Sequence, residues 1–295
     1  MRSRRVLPSE DVERRIRQFG QNLWRELIPQ ELKDLYAKDR QIWHDDTLLI
    51  VSDEPYLPWE LLWPYGSGWE DPGPWCETLL LTRWLRRDFQ GNGHESPAHH
   101  LAFQSLACLA PTDSKLPEAQ AERQFLADLL VEHKLQDLTP EPPSWSKVLD
   151  LLEAGGYGWL HAATHGSDST IWLQDGHAFT PQDVVGPRIE GHIHDERPAF
   201  VFNACHAGRQ DWALTRLGGW ANRLISNGAG LFLAPLWTVS DEQALDFSKS
   251  FYTGLLGGKN VAEAVREARK SARKAGDPTW LAYSVYAHPN ARVVE

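Results

Sequence analysis

Along residues 12–27 the apolar positions Val12, Ile16, Phe19, Leu23 and Leu27 recur at helical spacing, with arginines and other polar residues between them. That period predicts an amphipathic helix with one face turned inward and the arginines in water. Pro29 interrupts the pattern and LKDLYAKD resumes it. TLLIVSD is then a short apolar run of strand length, stopped by EPYLPWELLW. After the turn-rich GSGWEDPGPW, ETLLLTRWL reads as a second strand. The stretch RRDFQGNGHESPAHH is polar, rich in loop formers and poorly periodic, which sets a boundary near residue 95. Residues 1–95 are expected to form an accessory half and residues 96–295 the main domain.

Beyond the boundary, strands and helices alternate. LAFQSLACLA predicts one buried strand; Pro117 stands where a first-turn proline is tolerated, and Phe125, Leu126, Leu129 and Leu130 mark the buried face of the helix after it. WSKVLDLLEAG is a helix stopped at Gly155 and Gly156, followed by the strands GWLHAAT and AFVFNA. A helix through GGWANRLISNG leads to the strand AGLFLAPLW. Ser240, with Gln243 at capping-box spacing, opens the next helix. Asn260 caps VAEAVREARKSARK, and AYSVYA closes the pattern as a strand. Strands separated by helices imply an α/β fold with a mainly parallel sheet and helices on both faces, because parallel neighbours need a crossover.

Composition narrows the partners. The 295 residues are 42% hydrophobic with a formal net charge of −10, enough for a full core and opposed to an overall nucleic-acid footprint. Arg2, Arg4, Arg5, Arg14, Arg15 and Arg17 read as a solvated helix face. No apolar run approaches the roughly 20 residues that span a bilayer, and the basic start lacks an apolar h-region, so no membrane partner and a cytoplasmic location are expected. Cys76, Cys108 and Cys205 are too few and too scattered for a disulfide framework. The 14 tryptophans, dense between Trp24 and Trp84, are expected to pack the two halves together.

Two reactive side chains fall at the carboxyl ends of apolar strands, where open parallel sheets gather their chemistry. His165 lies in WLHAATHG and Cys205, 40 residues later, in FVFNACHAG; each is followed by a glycine-bearing turn. A neighbouring imidazole lowers a thiol's pKa and supplies an attacking thiolate. The backbone N–H groups of Gly166 and Cys205 would supply an oxyanion hole. A cysteine ending a strand is also a common small core residue. A zinc site from His161, His165, Cys205 and His206 is the competing chemistry, but no CxxC or HExxH spacing supports it, His192 and His194 fall in an apparent loop, and His161 reads as a core histidine. No GxSxG elbow supports a serine hydrolase. No cofactor is expected.

HAATHG, FNACHAG, the long run from GGWANRLISNG to VAEAVREARKSAR and the closing AYSVYAHP together resemble the CHAT domain, a relative of caspases and separases. The resemblance covers roughly residues 98–290 in detail, and LWRELIP and LPWELLW resemble the region that commonly precedes the peptidase half, which implies a pseudo-peptidase as one form of the accessory half. It implies a caspase-hemoglobinase fold, a catalytic pair at His165 and Cys205, and cleavage of a protein substrate through a thioester, in bacterial defence or regulated death. Control by a sensor module is common in such proteins; this sequence has no evident one, which implies an activating partner protein or assembly. Around the nucleophile NACHAG replaces the SACETG-like string. Asn203 stands where metacaspases carry an acidic residue for basic P1 side chains, leaving Asp113 as an alternative acidic wall. Trp237 and Asp241 occupy the segment that lines the substrate groove in caspase relatives. The alternative is a catalytically silent interaction module on the same fold.

Overall fold

Most of the apolar runs become strands of one continuous sheet. The computed structural model describes residues 9–85, 96–112, 116–167, 170–205, 218–274 and 276–294. The first part of the chain forms α1 (Ser9–Leu27), α2 (Gln30–Trp43), β1 (Thr47–Ser52), a 3₁₀ turn at Trp59–Leu61, α3 (Trp75–Thr78) and β2 (Leu80–Leu85). Then come β3 (His100–Ala102), β4 (Ser105–Leu109), α4 (Pro117–Glu132), β5 (Gln136–Asp137), α5 (Trp145–Ala154), β6 (Trp159–Ser167), β7 (Thr170–Trp172) and β8 (Ala178–Phe179). The remainder supplies α6 (Pro187–Glu196), β9 (Ala199–Cys205), α7 (Gly218–Ser226), β10 (Leu231–Pro235), α8 (Asp241–Leu256), α9 (Val261–Ser271), α10 (Thr279–Ala282), β11 (Tyr283–Tyr286) and β12 (Arg292–Val294).

The main sheet has the order β1-β2-β11-β10-β9-β6-β4-β5. Its pairings are parallel except β10 with β11. Alternate strand residues therefore face opposite layers. Trp159, Ala163, Val201 and Leu233 pack under α4, α8 and α9 with Leu126, Phe247, Phe251 and Val265. Leu160, Ala162, Phe200 and Phe202 pack under α5, α6 and α7 with Val148, Ile189 and Trp220.

The N-terminal strands belong to this same sheet: β2 pairs with β11, matching Arg83 with Tyr286. Glu60 and Arg83, 1% and 2% exposed, meet Ser284 and Tyr286 beneath that join. The tryptophans mostly do not bridge the halves as expected. Trp24, Tyr36 and Trp75 form an aromatic cluster inside the first 85 residues, with ring centroids 5.3 Å and 5.9 Å apart around Trp24.

Other local expectations shift. The inward stripe of α1 is Val12, Ile16, Gly20 and Trp24, while Phe19 and Leu27 are exposed. Gly20 permits this, because a Cβ there would sit 2.1 Å from the Leu61 carbonyl oxygen. LAFQSLACLA is two strands: Phe103 donates its N–H to Val294, so β3 pairs with β12 and only β4 joins the main sheet. Phe125 is only partly buried, and Glu122 takes its place on the inner face of α4. His192 and His194 lie on α6, not in a loop. Asn260 and Glu263 form the reciprocal capping box at α9, with both bonds 2.9 Å. Ser240 does not cap α8 in that way: its hydroxyl meets the Gln243 side chain, and its N–H donates to Thr279 Oγ1 at 3.0 Å.

Candidate active site

β6 and β9 are neighbouring parallel strands whose register runs from Trp159 opposite Ala199 to His165 opposite Cys205. The two sequence-predicted reactive residues are thus register partners at the carboxyl end of the ladder. Gly166 is buried and continues β6 into a short antiparallel pairing, opposite Ile171 of β7. His206 and Asp113 lie outside the described residues. Trp237, after β10, is buried, and Asp241 is the half-buried first residue of α8, where a carboxylate is favoured by the positive end of the helix dipole.

Asn203 is 3% exposed, and its amide is satisfied within the protein. Its Nδ2 donates to Glu122 Oε1 and Oε2 at 2.9 and 3.0 Å and to the Ala244 carbonyl at 3.0 Å. Its Oδ1 accepts from the Tyr283 hydroxyl at 2.8 Å. This fixes the amide's orientation, since the flipped form would aim its oxygen at three acceptors.

His161, fully buried, occupies the same network. Its Nδ1 lies 3.0 Å from the Tyr252 hydroxyl, and its Nε2 is 2.9 Å from Glu122 Oε1, at ion-pair distance but not aligned as a hydrogen bond. It is a core histidine, as its strand position implied. Burial, then the Glu122 carboxylate, holds the Tyr252 phenol well above its ordinary range and raises the Cys108 thiol. Among the described residues no group of three or more His, Cys, Asp or Glu side chains could hold a metal ion.

Sequence reasoning missed Glu122, Tyr252 and Tyr283. Glu122 left a signal: a charged residue at i, i+4 and i+7 spacing with Leu126 and Leu129 on an otherwise apolar helix face. The tyrosines left none, since either ring would suit a core without its hydroxyl.

Residues 17–290 match the family model of the CHAT domain, well to either side of the polar stretch near residue 95. The chain belongs to the CHAT domain family. Its fold is the caspase-like α/β fold of cysteine proteases. A solved structure described as a protease superposes on this CHAT chain with a TM-score of 0.61 at 10% identity, covering 96% of this chain and 75% of that one. The Arg-specific cysteine proteinase gingipain R gives 0.55 at 11% identity, over 97% and 70%. The complex of Porphyromonas gingivalis RgpB pro- and mature domains gives 0.53 at 12% identity, over 98% and 73%. At such identities the likeness is one of fold. Among proteins with curated descriptions, none matches the CHAT chain. No described helix is long and apolar enough to cross a membrane.

Proposed function

We propose that this chain is a cysteine endopeptidase with His165 as general base and Cys205 as nucleophile, cleaving a protein substrate through a thioester. The observation that carries the reading is the register pairing of positions 165 and 205 on adjacent parallel strands of a caspase-like fold. In-register residues of neighbouring parallel strands share one face of a sheet. A free thiol ionises near pH 8.5, and an adjacent imidazole brings that value down toward neutrality. The thiolate then adds to the scissile carbonyl carbon. The backbone N–H groups of Gly166 and Cys205 bind the developing oxyanion. As the C–N bond breaks, the imidazolium gives its proton to the leaving amine; water, deprotonated by the same imidazole, hydrolyses the thioester and frees the thiol.

Asp113, Trp237 and Asp241 are the proposed walls of the substrate groove. Asn203, a neutral amide already engaged internally, gives a basic P1 group no charge to pair with. The complex of pro- and mature domains in one structure of similar fold is a precedent for a protein partner on such an enzyme. We read this chain as switched on by a partner or assembly, in a bacterial defence or regulated-death pathway. The test is to incubate wild type and Cys205→Ala with a proteome, with and without candidate activators, and to map new protein N-termini. Termini made only by wild type are expected. Identical termini from both, under every activator, would leave a silent interaction module.

A further inference from the structure

The sheet face that carries positions 165 and 205 also carries Asn203, two residues inward on β9, and His161, four residues inward on β6. At about 3.3 Å per residue, they lie about 7 and about 13 Å along their strands from the reactive positions. Between them stands the carboxylate of Glu122, 3% exposed, which touches Asn203 Nδ2 with both oxygens and His161 Nε2 with one. The remaining polar atoms of the two side chains are held by Tyr283, Tyr252 and the Ala244 carbonyl.

This is a costly way to fill a core. Apolar residues of similar volume serve stability as well or better than a buried charged cluster, and where such clusters persist the best-attested gain is a defined register. Here the cluster spans the two strands whose register decides whether positions 165 and 205 meet. Two aligned hydrogen bonds seat the carboxylate on Asn203, and a 2.9 Å contact, not aligned as a hydrogen bond, sets it against His161 Nε2, so one side chain of α4 bears on both strands.

We propose that Glu122 is a positioning residue: its buried carboxylate ties Asn203 of β9 to His161 of β6 and so holds Cys205 at the distance from His165 that activates the thiol. The proposal rests on the reading of those two residues as a catalytic pair.

Iodoacetamide labelling of the chain, followed residue by residue by mass spectrometry across pH, tests it without a substrate. Cys76 and Cys108 are buried, with burial pushing the Cys76 thiol up to about 12, so their labelling reports unfolding. Glu122→Gln is expected to slow Cys205 labelling at neutral pH about tenfold and to raise its pH midpoint, with Cys76 and Cys108 still protected. Tyr283→Phe, which removes one hydroxyl from Asn203 at constant shape, is expected to slow it about threefold. In a His165→Ala background both effects should vanish, a dependence that a purely structural role would not produce.

Wild-type labelling rates and midpoints in both variants, with Cys76 and Cys108 protected, would overturn the proposal. Should Glu122→Gln expose those two thiols, Tyr283→Phe alone decides. If His165→Ala leaves the labelling of Cys205 in the wild-type chain unchanged, the catalytic pairing itself fails, a result distinct from failure at Glu122.

Discussion

Replacing Arg83 with methionine strips a buried cation from the join between the first 85 residues and the rest of the sheet. The guanidinium donates to Ser284 Oγ at 3.1 Å and to the Glu54 and Pro55 carbonyls at 3.1 and 3.3 Å. It lies 3.6 Å from Glu60 Oε2 and 4.8 Å from the centre of the Tyr286 ring. Methionine keeps much of the volume but leaves the Glu60 carboxylate, 1% exposed, with the Ser284 hydroxyl as its remaining partner. Removing one member of a buried pair costs about 3–5 kcal/mol, mostly the penalty of the stranded charge. At a urea m-value of about 3 kcal/mol/M, the midpoint should fall by about 1–1.7 M. Glu60→Leu alone should cost a similar amount, and the double variant much less than the sum of the two. The assay is equilibrium urea unfolding by tryptophan fluorescence, with circular dichroism as a second probe. Because the sheet runs unbroken from β1 through β11, one cooperative transition is expected in each variant. Additive single costs near zero, or a separate early transition of the N-terminal region, would refute the reasoning that this buried pair welds the two parts into one unit.

Gly20→Ala should destabilise by about 1–3 kcal/mol despite a helix-propensity gain of about 1 kcal/mol, because its Cβ would meet the Leu61 carbonyl oxygen; a thermal melt at or above the wild-type midpoint would contradict the close approach. His288 lies against His99 with ring centroids 3.7 Å apart and ring planes tilted by 36°, and burial, then the neighbouring imidazole, holds its pKa below the ordinary value. The folded state therefore takes up this proton less readily than the unfolded chain. Its contribution to stability is complete above about pH 6.5 and is lost as pH falls below it. His288→Asn should flatten that acid limb in pH-dependent unfolding, and an unchanged slope would show that this pair does not cause it.

Period and punctuation along the chain were enough to locate most of the strands and helices, since a buried strand needs an apolar run and a surface helix an apolar stripe wherever it stands. They also placed His165 and Cys205 at strand ends, and Asn260 at its cap, because those are local relations. What they could not supply is which strand lies beside which. The pairing of β2 with β11 unites residues some 200 apart, and nothing in RRDFQGNGHESPAHH reveals that the sheet resumes across it. The same limit hid the split of LAFQSLACLA, whose second partner, β12, comes at the far end of the chain. Glu122 is the sharpest case. A lone carboxylate on an apolar helix face reads as a cost until folding brings Asn203 and His161 to it, because hydrogen-bond partners, unlike hydrophobicity, are properties of the assembled neighbourhood and not of the residue.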